Sequence, residues 1–183
     1  MMVKRYKIIR KSLRIMNIED NSMNRVDKIR NHSLYLQMKD RLEELEKDRI
    51  FCIHNEEHSF DVARIAYIMN LEQNLRQEKE VIYSMALLHD LGRVKEYEEG
   101  LDHHVMSAEI AEKILKECDF TMEECVRIKE AISLHRRKAC PDTKNVLCRL
   151  LYVADKASRN CKFCKAKDEC YWSQEEKNQK VTY

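Results

Sequence analysis

Apolar residues recur every three or four positions along most of the chain, which is the spacing of one face of an α-helix. The repeat appears near the start, in the middle and near the end of the sequence: Leu42 and Leu45; Ile110, Ile114 and Leu115; Leu147, Leu150 and Leu151. The chain has only 2 Gly and 1 Pro in 183 residues, so few tight turns are available and a β-rich fold is not expected. We therefore predict an all-α fold, a single compact domain of about six to eight helices.

One apolar helix, predicted over residues 81–88, ends in two adjacent polar side chains, His89 and Asp90. Leaving an imidazole or a carboxylate unpaired in an apolar interior costs several kcal/mol unless a metal ion or hydrogen bonds compensate. Imidazole suits zinc, iron and nickel, and carboxylate also suits manganese and magnesium. The pair is therefore a candidate metal site, although by itself it is equally consistent with a polar end to a helix.

Further residues of the same types occupy similar positions on other predicted helices. Each lies on the inner face or at the end of an apolar segment: His58, His103, His104, His135 and Asp155. A single histidine on an apolar face is usually a core residue that is held by hydrogen bonds. Four or five such residues on successive helices are best explained by a common centre, and their chemistry favours a metal centre.

In this order and with these neighbours, the residues resemble the HD superfamily of metal-dependent phosphohydrolases. The resemblance covers roughly residues 50–160 and is carried by three segments: Glu57-His58-Ser59 with Val62-Ala63, Ala86-Leu87-Leu88-His89-Asp90-Leu91-Gly92, and Ala154-Asp155-Lys156. One position departs from the family pattern, because Arg93 stands where the family usually has lysine. Arginine is also cationic, and its planar fork suits phosphate oxygens.

The resemblance implies a set of metal ligands. In the minimal form of the family, one ion would be held by four residues: His58, His89, Asp90 and Asp155. In forms with two more histidines, Asp90 would bridge two ions, and His103 and His135 would complete the ligands. The expected cofactor is therefore one or two divalent transition-metal ions: Fe, Mn, Zn, Ni or Co.

Two adjacent histidines compete for one of these positions. His103 fits the family spacing to the small pair Ser107-Ala108 better than His104 does. His104, however, shares an apolar stripe with Ala108, Ala111 and Leu115, and it stays an alternative.

The resemblance and the ligand chemistry point to the same reaction. A metal ion lowers the pKa of bound water, so hydroxide is available near neutral pH, and two ions can clamp a phosphoryl oxygen. Asp90 would orient the nucleophile, while Arg93 and Lys156 would stabilise charge on the phosphoryl group. We predict a phosphohydrolase with Asp90 and Arg93 as catalytic residues and with three substrate-binding residues: His54, Arg93 and Lys156.

The expected substrate is a small phosphorylated molecule, a phosphate ester or anhydride, with a nucleotide favoured. The six-ligand set resembles that of hydrolases of diadenosine tetraphosphate, which makes dinucleoside polyphosphates the first candidates. Two other classes stay open: a di-iron HD-type oxygenase, because the same ligands serve both reactions, and a non-catalytic nucleotide-binding sensor.

His54 lies four residues before His58, so both can share a helix face if that helix begins early. His54 would then contact phosphate or support a metal ligand; the alternative is a histidine that simply begins the helix.

The residues before the predicted core differ in character from it. Residues 1–22 carry six basic and two acidic side chains, in a chain whose net charge is +2. We interpret this segment as a disordered extension, or as the product of a start site assigned too early, with Met16 and Met23 available. A nucleic-acid or membrane arm is the less favoured interpretation. Residues 23–160 would form the HD-type domain, in which the charged run Glu43, Glu44, Glu46, Lys47, Asp48 and Arg49 is predicted to be a solvated helix face.

The remaining segment, 161–183, is predicted to be a cysteine-rich tail packed on the domain, with Cys161, Cys164 and Cys170 close together in sequence. These thiolates suit a tetrahedral zinc ion or an iron–sulfur cluster, and on a zinc ion their sulfurs would lie about 4 Å apart. Candidates for a fourth ligand are Cys140, Cys148, Asp168 and solvent. The alternative is three free thiols in a packed tail. Cys52, Cys118 and Cys125 are interpreted as ordinary core or surface residues.

The cysteines also bear on the cellular compartment. The chain has eight of them but neither an apolar stretch of about 18 residues nor the features of a signal peptide. We therefore expect reduced thiols in a cytoplasmic protein. Neither a membrane nor a nucleic acid is expected as a partner, and the oligomeric state is left open.

Overall fold

The computed structural model of this chain describes residues 23–136 and 144–183. These ranges contain α1 (Asn24–Arg30), α2 (Ser33–Glu46), α3 (Glu56–Glu72), α4 (Lys79–Leu88), α5 (Arg93–Glu99), α6 (His103–Glu117), α7 (Met122–Leu134), α8 (Val146–Ala157) and a 3-10 turn (Cys161–Phe163). They contain no strand, so the predicted all-α fold is confirmed. Within them, no helix combines the length and the apolar character that a membrane span requires. The predicted extension at residues 1–22 and Cys140 lie outside the described residues.

Helix α4 lies at the centre of the fold. Seven of its ten residues are buried, and it packs against five helices: α1, α3, α6, α7 and α8. An apolar helix that is covered on all sides needs no polar face. Because α4 is surrounded in this way, the residues that follow it, His89 and Asp90, lie in the interior rather than at the surface.

Side-chain caps fix the starts of the helices that surround α4. The Asn55 side chain accepts a hydrogen bond from the backbone N–H of His58 at the start of α3. Thr121 and Glu124 form a capping box at the start of α7, and Asn145 caps α8. Each such cap contributes about 1 kcal/mol by satisfying backbone N–H groups that have no partner within the helix. The Asn55 cap also places His58 in the first turn of α3.

Gly92 lies where the turn after α4 meets the start of α6. A Cβ atom at this position would be 2.2 Å from the backbone oxygen of His103 and 2.3 Å from the backbone nitrogen of Ser107. The Gly92 N–H also donates a 2.8 Å hydrogen bond to Ser107 Oγ. The missing side chain therefore allows the first turn of α6 to approach the residues after α4, which brings His103 close to Asp90.

This close contact predicts a large effect of a small substitution. Gly92→Ala should lower the free energy of unfolding by about 3 kcal/mol, because the added methyl group must push α6 away. Gly100→Ala is the matched control: Gly100 has a φ of 71° and open space around it, so only backbone strain of about 1 kcal/mol is expected. Urea unfolding followed by circular dichroism measures both values. Equal losses for the two variants would contradict the role given to Gly92.

Candidate metal centre

Six side chains predicted as ligands converge just beyond the C-terminal end of α4. Their ligand atoms form two groups, and within each group all atoms lie within 4.8 Å of one another: His58, His89 and Asp155; Asp90, His103 and His135. Helices α3, α6 and α8 each supply one residue, one follows α7, and the pair follows α4. Residues that are distant in sequence are therefore brought to one point by the packing of helices around α4.

The Asp90 carboxylate lies between the two groups. Its Oδ2 is 3.0 Å from His89 Nε2 and 3.7 Å from His58 Nε2. Its Oδ1 is 3.5 Å from His103 Nε2 and 4.0 Å from His135 Nε2. One carboxylate oxygen thus faces each group, which is the arrangement that a carboxylate needs to bridge two cations.

Backbone carbonyl groups orient two of the histidine rings. His89 Nδ1 donates to the oxygen of Ala86 at 2.7 Å, and His135 Nδ1 donates to the oxygen of Ile132 at 2.6 Å. Both acceptors lie in the last turn of the preceding helix. Since a carbonyl oxygen only accepts, the proton of each neutral ring is on Nδ1 and the lone pair of Nε2 faces the centre.

Side chains orient the other two rings. His103 Nδ1 donates to Glu96 Oε1 at 2.9 Å. His58 Nδ1 lies 3.3 Å from Ser158 Oγ, whose hydroxyl group in turn donates to the backbone oxygen of Asp155. These contacts again leave the Nε2 atoms directed to the centre, as is typical of histidine metal ligands.

The Nε2 atoms provide a test of whether a metal fits. Those of His58, His89 and His103 are buried and have no hydrogen-bond partner among the described residues. Buried polar atoms are rarely left unsatisfied. His89 Nε2 lies only 3.0 Å from Asp90 Oδ2. Burial lowers the pKa of His89, but the Asp90 carboxylate raises it above its usual value, so this contact calls for a cation between the two atoms, either a proton or a metal ion. The buried cluster is therefore compatible with a divalent metal ion.

The protonation states agree with this conclusion. Burial lowers the pKa of His103 to about 4 and that of His135 to about 3, with nearby cations as the next cause. Burial alone would raise the pKa of Asp90, but the charges of His89 and Arg93 hold it well below its usual range. Near neutral pH, His103 and His135 are thus neutral imidazoles beside an ionised carboxylate, which are the forms that bind metals.

His54 and Glu46 form a buried pair beside the centre. Glu46, which is only 2% exposed, accepts hydrogen bonds from the His54 backbone N–H at 2.7 Å and from His54 Nδ1 at 2.6 Å. The Tyr97 hydroxyl group also donates to Glu46, at 2.7 Å. His54 Nε2 then lies 4.0 Å from Asp90 Oδ2. His54 precedes α3 and does not share its face. The prediction that Glu46 lies on a solvated helix face is wrong, because its carboxylate is buried against the His54 imidazole.

Two cationic residues predicted to bind substrate also lie near the centre. Arg93 donates from Nε to Asp90 Oδ1 and from a terminal nitrogen to Glu96 Oε2, each at 3.0 Å. Lys156 Nζ lies 3.3 Å from the centre of the Tyr152 ring and donates to the Tyr152 backbone oxygen at 3.4 Å. Both side chains line the cavity that opens onto the centre. His104 belongs to neither ligand group, and its ring centre lies 6.0 Å from that of His103.

This cavity has a volume of about 530 Å³. Three of the six potential ligands line it, His58, His135 and Asp155, together with the neighbouring His54. Among the described residues, basic side chains on its wall outnumber acidic ones by seven to four: Arg49, Arg93, Arg136, Lys156, Arg159, Lys167 and Lys177 against Glu57, Asp61, Asp155 and Glu176. Three aromatic side chains also contribute: Phe51, Tyr171 and Trp172. The entrance to the centre is thus cationic and partly aromatic.

The three C-terminal cysteines line the same cavity, together with Cys52. Among the described residues, no three cysteines have sulfur atoms that all lie within 4.8 Å of one another, so the predicted spacing of about 4 Å is not observed. Of the proposed fourth ligands, Cys148 is fully buried in α8, and neither it nor Asp168 lies on the cavity wall. Cys52, which local sequence gives no reason to single out, lies on that wall instead.

Comparisons with known proteins agree with the fold and the centre. The family model of the HD domain matches residues 55–160. A protein of Clostridium beijerinckii, described as an uncharacterized protein, is 44% identical over 161 residues, which is 88% of this chain and 100% of the relative. No solved structure shows significant similarity. The chain belongs to the HD domain family, and the resemblance inferred from the sequence is confirmed.

The two ligand groups predict the metal stoichiometry of the protein. If the centre holds two ions, His135→Ala should remove one of them and Asp90→Ala should remove both, because the Asp90 carboxylate faces both groups. His104→Ala is the matched control and should leave the metal content unchanged. Elemental analysis of the purified variants measures these values. A His135→Ala protein with the full metal content would reduce the site to the four-ligand form.

The Glu46–His54 pair predicts a loss of stability. Glu46→Ala should lower the free energy of unfolding by about 1–3 kcal/mol, because it leaves buried N–H groups of His54 without an acceptor. Glu43→Ala, which removes an exposed carboxylate from the same helix, should change stability by less than about 0.5 kcal/mol. Chemical denaturation measures both values, and similar results for the two variants would show that the buried pair is not stabilising.

Proposed function

We propose that this protein is a metal-dependent phosphohydrolase that cleaves a phosphate ester or anhydride of a nucleotide. The observation that carries the proposal is the position of Asp90, with one carboxylate oxygen facing each of two groups of potential ligands. Membership of the HD domain family supports the reaction class, since the family resemblance implies metal-dependent phosphate hydrolysis.

The chain offers ligands for two ions. His58, His89, Asp155 and Asp90 would hold one ion, and Asp90, His103 and His135 would hold the other. Divalent ions in such a centre act as Lewis acids on phosphoryl oxygens and make water a better nucleophile near neutral pH. The hydrogen bonds to the four Nδ1 atoms keep the rings in one tautomer and one orientation, so the ligands are preorganised.

Arg93 is the residue best placed to act on the phosphoryl group. Its contacts with Asp90 and Glu96 hold the guanidinium group beside the centre and restrict its rotation. A cation that is fixed before substrate binds stabilises negative charge in the transition state without reorganising during the reaction. Lys156, which lines the same cavity, would add positive charge for the rest of a polyphosphate.

The cavity supports a nucleotide as the substrate class. Its excess of basic side chains suits a polyanion, and its aromatic side chains offer flat surfaces against which a base can stack. A dinucleoside polyphosphate combines several phosphates with two bases, and we propose this compound class for the first trial.

The function is tested by assaying the manganese-loaded protein under anaerobic conditions. The panel comprises nucleoside mono-, di- and triphosphates, dinucleoside polyphosphates and a simple phosphomonoester, with released phosphate and nucleotides as the readout. Release of phosphate or of a shorter nucleotide is expected. Oxygen consumption by an iron-loaded protein that hydrolyses none of these compounds would contradict the proposal and favour an oxygenase.

The role of Arg93 gives a sharper prediction. Arg93→Ala should lower kcat about 100-fold without loss of metal, because a charge that stabilises the transition state is removed. Arg93→Lys should retain more activity, since the charge remains although the planar fork is lost. Arg41→Ala, which removes an exposed cation from α2, is the control and should match the unsubstituted protein. Equal activity of Arg93→Ala and Arg41→Ala would exclude a catalytic role for Arg93.

A further inference from the structure

The tail at residues 161–183 packs on the domain with very little hydrophobic support. It has one 3-10 turn and no α-helix, and Ala166 is its only buried residue. Burial of apolar area is the main force that orders a segment, and short segments without a core usually depend on disulfides or metals. Its cysteines are free thiols in the structure. The tail therefore contains the residue types that could supply such a cross-link.

The tail nevertheless has a defined position next to the segment that precedes α3. The Tyr171 ring packs edge-on against Phe51, with 6.3 Å between the ring centres. Each of these aromatic residues is the immediate neighbour of a cysteine on the cavity wall, Cys170 and Cys52 respectively. The contact thus brings a cysteine of the domain to the same region as the cysteines of the tail.

We propose that Cys52, Cys161, Cys164 and Cys170 are the four thiolate ligands of an iron–sulfur cluster. All four side chains line one cavity, and four cysteines are the usual ligand set of such clusters. The assignment does not depend on the proposed hydrolase function.

The surroundings of Cys52 combine burial with a nearby positive charge. Burial is the main cause that raises the pKa of the Cys52 thiol, the Arg159 guanidinium group opposes it, and the other three cysteines of the set raise it further. Arg159 is a cation that can offset part of the negative charge of several thiolates.

The sulfur atoms are not arranged for a single tetrahedral ion. Four thiolates on one tetrahedral zinc ion lie about 3.8 Å apart, given a zinc–sulfur distance of about 2.3 Å. In the described residues, no three of these sulfurs lie within 4.8 Å of one another. An iron–sulfur cluster holds its thiolates further apart, because the iron and sulfide atoms occupy the space between them.

The cluster would fix the tail at the end of α8, near the centre. Trp172 stacks on Arg159 at 4.3 Å, and Arg159 in turn contacts Asp155 Oδ1 at 3.3 Å. The Asn178 side chain donates to backbone oxygens in the last turn of α8, including that of Lys156 at 2.6 Å. A tail held by four thiolates would therefore also restrain the helix end that carries Asp155.

The first experiment uses the full chain, purified without oxygen and analysed for iron, zinc and acid-labile sulfide. We expect sulfide in an amount equal to the iron of the cluster, together with the broad visible absorption of iron–thiolate bonds. Sulfide reports on this site alone, because histidine and aspartate ligands bind metal without it. A protein that contains zinc but no sulfide, or no metal beyond the amount held by the histidine centre, would overturn the proposal.

Variants then test the ligand set. Cys52→Ala and Cys164→Ala should each lower the sulfide content at least tenfold. Cys118→Ala is the matched control: Cys118 is buried at the end of α6 and does not line the cavity, so its removal should leave sulfide unchanged. Full sulfide content in Cys52→Ala would exclude Cys52 as a ligand.

A labelling experiment needs no variant and is independent of folding defects. Exposed thiols are alkylated before and after the cluster is removed with a chelator, and the modified cysteines are identified by mass spectrometry. We expect Cys52, Cys161, Cys164 and Cys170 to become reactive only after removal. Labelling of Cys52 in the untreated protein would contradict its assignment as a ligand.

Discussion

The burial of the Asp90 carboxylate is the interaction on which the structure of the centre depends. This group is 5% exposed and follows a helix that is itself surrounded by other helices. A buried carboxylate without compensation would be strongly destabilising, and a carboxylate with a single cationic partner is still costly. In this fold, Arg93 and four imidazole rings lie around the Asp90 carboxylate and compensate its charge. The helix ends that meet around Asp90 each carry one of these polar side chains.

The fold class and the order of the candidate ligands could be predicted because both are local properties of the sequence. Helical spacing identifies which residues face inward, and an imidazole that faces inward is conspicuous whatever its partner is. Glu46 could not be recognised in this way. Its place in a charged run is typical of a solvated helix face, but in the structure its carboxylate is buried and accepts hydrogen bonds from His54, eight residues further on, and from Tyr97. A pairing between a helix and the loop that follows it leaves no trace in the helical pattern.

The same limit applies to His103 and to Cys52. Helical spacing alone does not separate His103 from the adjacent His104, and only the family spacing favoured His103; in the structure the His103 ring is held by Glu96. Cys52 lies far from the three C-terminal cysteines in sequence, and it joins their cavity only because the tail folds back over the segment before α3. Spacing along the chain reveals the local part of a site, whereas the part that depends on tertiary packing requires the structure.

The hydrogen bonds to the histidine rings have a consequence for how the centre can change in evolution. Each of the two ligand groups contains one ring that is held by a main-chain carbonyl group, His89 or His135, and one that is held by a side chain, His58 or His103. The first kind of support exists in any sequence that keeps the helix, so it tolerates drift in the surrounding core. The second kind can be lost by mutation, because it comes from a side chain. Ser158 contacts His58 in one group, and Glu96 accepts from His103 in the other. Replacing Ser158 or Glu96 would therefore change the basicity of the histidine in one ligand group only. The geometry of the other ligand group would stay as it is.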